Sequence, residues 1–151
     1  MSEAPVYIRI SEKAGLPAID QYRPFRAVVV LDSEYSDEWQ GEVSRWLVDS
    51  GCLYMMAWGP ECTTWDDSVD YAQILKHLPD ETPDREFVMT TWHERDTLEA
   101  VFWFSRFCAQ DPYDIIEHSL IVHVGNTDKE AEFLALYAQA ETFVDAEDEQ
   151  S

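Results

Sequence analysis

The stretch from Ala27 to Ala57, AVVVLDSEYSDEWQGEVSRWLVDSGCLYMMA, reads as one strand–helix–strand unit. Ala27–Leu31 is a short valine-rich run without alternation, the form of a strand covered on both faces. Ser36, followed by Asp37 and Glu38, makes an N-cap with acids in the first turn. Trp39, Val43, Trp46 and Leu47 then fall on one helical face, and Gly51 closes the helix. Leu53–Ala57 is a second continuous apolar run, hence a second strand.

The pattern repeats outward. Thr64 leads into a helix start with Asp66 and Asp67, and Trp65, Val69 and Ala72 form its inner stripe, with Leu75 joining. Pro79 and Pro83 bracket a turn before a third run, Phe87–Met89. Asp96 with Glu99 opens a third helix, whose stretch Leu98–Phe104 is apolar nearly all round and so packs between the sheet and another helix. A fourth run, Leu120–Val124, is followed by Thr127 and Glu130, a capping box for a last helix through Phe133, Leu134 and Tyr137. Val6–Ile10 alternates and reads as a fifth, N-terminal edge strand, and Ser11 to Arg26, with Gly15, Pro17 and Pro24, reads as an irregular lead-in.

Four strand–helix units with short links imply right-handed crossovers and a mainly parallel sheet. The expected fold is a single-domain α/β three-layer sandwich, flavodoxin-like or Rossmann-like, with the central strands in the order 2-1-3-4. Residues 1–26 form an N-terminal arm, 27–144 the α/β domain, and 145–151 an acidic disordered tail.

At 151 residues the chain is long enough for one substantial core, and its 20 aromatic residues supply much of the area to bury. The formal charge of −21 excludes nucleic acid and anionic membrane as expected partners, since both are held by Lys and Arg. The asymmetry is internal too. Residues 1–26 hold four basic and three acidic residues, the rest six basic and 28 acidic. Cys52, Cys62 and Cys108 form an odd set without paired spacing. With no targeting or spanning segment recognisable, they point to a reducing, cytoplasmic setting.

In a parallel α/β sheet the strand exits line one edge, where ligands bind. The exits here are Asp32-Ser33-Glu34, Trp58-Gly59-Pro60-Glu61-Cys62, Thr90-Thr91-Trp92-His93-Glu94 and Gly125-Asn126-Thr127. Cys62, just before a helix start, is a candidate nucleophile with a depressed pKa. His93 would be its base, and Glu94, Asp66 or Asp70 would orient the imidazole. Asp32 and Glu34 offer hard oxygen ligands suited to Mg²⁺. His123, alternating with Val122 and Val124, reads as a hydrogen-bonded core histidine. Neither HExxH nor CxxC occurs, and neither glycine-rich phosphate loop is present, so no nucleotide or other cofactor is predicted. Trp58, Trp65 and Trp92, with Glu61 and Asn126, are the binding candidates, rings with polar tips gathered at one edge.

Asp32 after Val28-Val29-Val30-Leu31 resembles the first motif of haloacid dehalogenase-type phosphatases, with Glu34 where that family has a second aspartate. Thr90 or Thr91 resembles its strand-end hydroxyl, and Gly125-Asn126-Thr127-Asp128 its terminal acidic motif. The same first exit resembles that of response-regulator receivers, without their phosphoacceptor aspartate and lysine. From Trp58 through Val88–Glu94 to Phe104 the chain resembles a bacterial family of short acidic proteins known as a domain of unknown function. The likeness spans about residues 25–140. It implies a bacterial cytosolic protein and carries no activity.

The expected function is therefore a non-enzymatic acidic interaction module, immunity- or antitoxin-like, that binds a basic protein partner. The alternative is a small hydrolase at the strand exits, either a Mg²⁺-dependent phosphohydrolase around Asp32 and Glu34 or a thiol hydrolase around Cys62 and His93.

Overall fold

A computed structural model describes residues 4–142; the acidic tail expected from residue 145 lies outside them. Five strands, β1 (Val6–Ile10), β2 (Phe25–Leu31), β3 (Cys52–Trp58), β4 (Met89–Trp92) and β5 (His118–Val124), form one sheet in the order β1-β5-β2-β3-β4. Each neighbouring pair is parallel. Four helices cover it: α1 (Asp37–Ser50), α2 (Trp65–His77), α3 (Leu98–Phe107) and α4 (Glu130–Gln139). The α/β three-layer sandwich is as expected, and Val6–Ile10 joins the four central strands at an edge, which makes the sheet five-stranded.

The sheet divides the core in two. On one face Phe25, Ala27, Val29, Met55, Ala57, Leu120 and Val122 pack under α1 and α2, together with Ile19 of the lead-in. On the other, Val28, Val30, Met56 and Ile121 pack under α3 and α4. The lead-in takes the place of a helix over the β1–β5 end of the first face, and Trp46 Nε1 donates to Pro17 O at 2.7 Å.

Strand order departs from the expected 2-1-3-4, which put the third central strand beside the first. Here β4 lies outside β3 at the sheet edge, and β5 sits beside β2. The two successive crossovers, α1 and α2, cover the same face, and right-handed crossovers on one face step in one direction. Only α3, on the opposite face, carries the chain back past β2. The order β4-β3-β2-β5 is that of a Rossmann-type half, 3-2-1-4, and not of flavodoxin.

Local signals survive unevenly. Ser36 caps α1 by accepting from Trp39 N, and Gly51 ends it in the left-handed conformation. The cap of α3 is Thr97, which accepts from Ala100 N, one residue past the expected Asp96. The Thr127–Glu130 box does not form. α4 starts at Glu130, whose N–H goes to Asp128 Oδ1 at 2.9 Å. β4 begins only at Met89, so Thr90, Thr91 and Trp92 belong to it and are not an exit. Gln73 explains the shift: its side chain donates to Val88 O and accepts from Val88 N, so an amide from α2 replaces the ladder there.

Candidate functional site

β2 exits toward α1 on one face, while its neighbour β5 exits toward α4 on the other. The gap between these two exits is the topological switch point, where an open α/β sheet binds ligands. A polar line crosses this point. His123, fully buried on β5, bonds through Nε2 to Asp32 Oδ2 at 2.8 Å and through Nδ1 to the Tyr7 hydroxyl at 2.6 Å. Lys129 N, at the start of α4, donates to that hydroxyl at 3.1 Å. A carboxylate only accepts, so the neutral ring that satisfies both partners carries its proton on Nε2, facing Asp32, and accepts the Tyr7 hydroxyl proton at Nδ1. The imidazole packs against both Phe133 and the Tyr7 ring, which also touch each other. Burial holds the Tyr7 phenol above its ordinary pKa, opposed first by the Lys129 bond.

Gly125 makes the line fit. A Cβ there would lie 2.1 Å from Asp32 Oδ2 and 2.9 Å from His123 Nε2. Only a glycine lets the carboxylate rest against the β5 exit. Arg9 Nη1 reaches Gly125 O from the other side, at 3.4 Å. The core-histidine reading of His123 holds; its partners Asp32 and Tyr7 lie 91 and 116 residues away in sequence, which no local pattern encodes.

The other candidates separate. Cys62 is buried in the core under α1 and α2, whereas the His93 ring packs on Phe104 of α3, across the sheet. Both His93 nitrogens are engaged, Nδ1 with Asp96 Oδ2 and Nε2 with Thr91 Oγ1, each at 2.9 Å. Burial also pushes the Cys62 thiol up, assisted by the Glu94 charge, against the expected depression. The expected dyad is not assembled.

Of the three tryptophans, Trp65 is a core residue, Trp58 is half-buried with Nε1 donating to Asp96 O at 2.8 Å, and Trp92 is half exposed on edge strand β4. Glu61, in the left-handed conformation at φ 60°, lies with Cys62 and Glu94 around a shallow concavity of about 390 Å³. Gly59, at φ 113°, lets this loop press on the β2 exit, because a Cβ would meet Leu31 O at 2.3 Å. Asn126 is exposed beyond β5.

Among the described residues, no group of three acidic, His or Cys side chains close enough to share an ion includes Asp32 or Glu34; Asp66, Asp67 and Asp70 on α2 do form one. Thr90, expected as a strand-end hydroxyl near Asp32, instead bonds to Asp70, and β3 stands between β4 and β2.

Sequence reasoning missed the outer face of α2. Beyond its buried stripe, Tyr71 and Ile74 follow at i and i+3, with Leu78 just past the last turn, and are 62%, 52% and 60% exposed. The helix overlies β4, tied by the Gln73–Val88 and Asp70–Thr90 bonds. Among the described residues β4 pairs only with β3, so its far side is an open edge, flanked by exposed Phe87, Met89 and Trp92. The signal was present as a second apolar series on a helix whose first series already faced the core.

The chain belongs to the family described as Domain of unknown function (DUF7684), whose model matches residues 6–140. No curated protein and no solved structure matches it.

Proposed function

We propose that this chain is an acidic, non-enzymatic interaction module that binds a basic protein partner, as immunity and antitoxin proteins do, through the flank formed by α2 and β4. The observation that carries this reading is the apolar series Tyr71, Ile74 and Leu78 turned to solvent, on a helix that also overlies the open-edged strand β4. An exposed helix stripe next to an unpaired edge is the combination that β-strand addition uses, with backbone bonds for affinity and side-chain pockets for choice. Charge selects the occupant. From Asp66 to Asp96 the chain holds nine acidic residues against Lys76, Arg85 and Arg95. A second copy would press two strongly acidic surfaces together, whereas a lysine- or arginine-rich segment is drawn in. A cytoplasmic setting fits three cysteines that are all free thiols, and among the described residues no helix is long and apolar enough to cross a membrane. The family resemblance read from the sequence adds a bacterial source.

A labelled peptide alternating lysine with valine, titrated at low and high salt, tests the reading. Affinity should fall steeply with salt and be lost in Ile74→Asp, and a glutamate–valine peptide should not bind. Binding that ignores salt, or survives Ile74→Asp unchanged, removes the proposal.

The hydrolase alternative retains one supporting observation, Asp32 fixed by His123 at the switch point. A rise in thermal stability with Mg²⁺ that disappears in Asp32→Asn would favour it; identical responses of both proteins would end it.

A further inference from the structure

At the opposite end of the sheet from the strand exits, the start of β3 and the last turns of α1 and α2 enclose a cavity of about 230 Å³. Its floor is apolar, with Val48, Pro24 and Leu53. Its lining gathers Arg23, Lys76, His77 and Arg85 from three separate segments. Three of the ten Lys and Arg residues of a chain with net charge −21 therefore open onto one small space.

We infer that this cavity is a binding site for a small organic anion, a phosphate or carboxylate carried on a short apolar body. Asp49, Glu86 and Asp114 also line it, so the cavity is locally balanced in a strongly acidic molecule. Their pairings are loose. Lys76 Nζ is 3.8 Å from Asp49, Arg85 Nη1 is 3.8 Å from Asp114, and His77 Nε2 is 4.0 Å from Glu86. Charge-assisted hydrogen bonds close to about 2.7–2.9 Å. An oxyanion entering between these cations can make the short bonds that the three acids do not. Arg23 is committed differently, donating to Asp49 O at 2.8 Å.

The competing explanation is helix capping, because cations at helix C-termini offset the dipole. It accounts for Arg23 at the end of α1 and for Lys76 and His77 in the last turn of α2. It does not account for Arg85, which sits on a short 3₁₀ turn, Asp84–Glu86, on the other side of the cavity. That turn is anchored across the gap by the Arg85–Asp114 pair and by Arg85 over the Tyr113 ring. The apolar floor beneath converging donors is the usual make-up of a small-molecule site.

The background favours a clean test, since a net charge of −21 repels anions from the rest of the surface. The full chain is titrated with inorganic phosphate and, separately, with butyrate, at constant ionic strength balanced by chloride. Melting temperature and the His77 side-chain NMR signals are followed. Saturable binding of at least one anion, moving His77, is expected, and the tighter of the two identifies the headgroup. Arg85→Gln and Lys76→Gln should each weaken it by about tenfold, while Arg85→Lys, which keeps the charge but not the planar fork, loses less than Arg85→Gln. Arg85 is 69% exposed, so its replacement leaves the fold intact, which circular dichroism checks. Absence of saturation with both anions, or binding undiminished in both glutamine variants, overturns the inference.

Discussion

Replacing Gly125 by alanine puts a methyl carbon where the Asp32 carboxylate lies. The added Cβ would sit 2.1 Å from Oδ2, 2.8 Å from Cγ and 2.9 Å from His123 Nε2, inside any tolerable contact. Asp32 is the group able to move, since its side chain is 30% exposed while His123 is fully buried. The carboxylate must retreat by about 1 Å or more to reach van der Waals distance, which opens the 2.8 Å bond to Nε2. Water cannot replace it on a buried ring, so a buried donor is left unpaired, at a cost of about 1–3 kcal/mol. Removing a glycine recovers about 0.4–1 kcal/mol through the unfolded chain, leaving a net loss of about 1–2 kcal/mol. In a domain of this size that lowers Tm by about 2–8 °C. The decisive assay is a double-mutant cycle by urea unfolding at constant m. Asp32→Ala alone should cost a similar amount, since it removes the same acceptor. In the Asp32→Ala background, Gly125→Ala should cost distinctly less, since the carboxylate clash is gone and only the 2.9 Å approach to His123 Nε2 remains. If the two losses simply add, within about 0.5 kcal/mol, the carboxylate–glycine–imidazole arrangement is wrong.

Gly59→Ala meets the Leu31 carbonyl oxygen at 2.3 Å with φ at 113°, and backbone cannot step aside as Asp32 can; a loss above about 2 kcal/mol in chemical denaturation is expected, and a loss below 0.5 would contradict the loop geometry. Thiol titration at pH 8 should find one fast cysteine, the exposed Cys108. Burial pushes Cys52 up to about 12 and raises Cys62 as well. If Cys62 reacts as fast as Cys108, the packing around the second exit is misread. Asp66 and Asp70 are both held above the ordinary carboxyl pKa, desolvation being the main cause. The folded state therefore holds those protons more tightly than the unfolded one. This contribution is full below the unfolded value near 3.9 and is lost as pH rises through the raised folded values. Stability should accordingly fall as pH rises from near 3.9 through the carboxyl range, and fall less in Asp66→Asn; an unchanged pH dependence in that variant would count against the burial of the Asp66 carboxyl.

What the sequence made legible was whatever one helix or strand decides for itself. β2, α1 and β3 follow from a valine run, a serine cap and a glycine stop within a few dozen residues. The start of β4 was misplaced because Gln73, 15 residues upstream, bonds the Val88 backbone that a ladder would otherwise take. The strand order was misread because it turns on which face α3 crosses, and Leu98–Phe104 is apolar on nearly every side. The candidate site suffered from parity. His93 and Cys62 leave adjacent strands, and only the register Ala57↔Trp92 puts the His93 ring on the far side of the sheet from the thiol.

Parity also bears on where function can lie. At the strand exits the polar side chains are largely engaged with one another: Asp32 by His123, His93 by Asp96 and Thr91, Trp58 by the Asp96 carbonyl. Such internal bonds fix loops and strands in register, and a group so committed must break a bond before it can take a ligand. α2 presents the reverse case. Its inner stripe, Trp65, Val69 and Ala72, already completes the core, so Tyr71, Ile74 and Leu78 add nothing to burial within the chain. Exposed apolar residues at helical spacing weaken solubility, which a charge of −21 restores. The excess acid thus offsets the solubility cost of the outward stripe, and on the proposed reading the same charge draws a basic partner toward it.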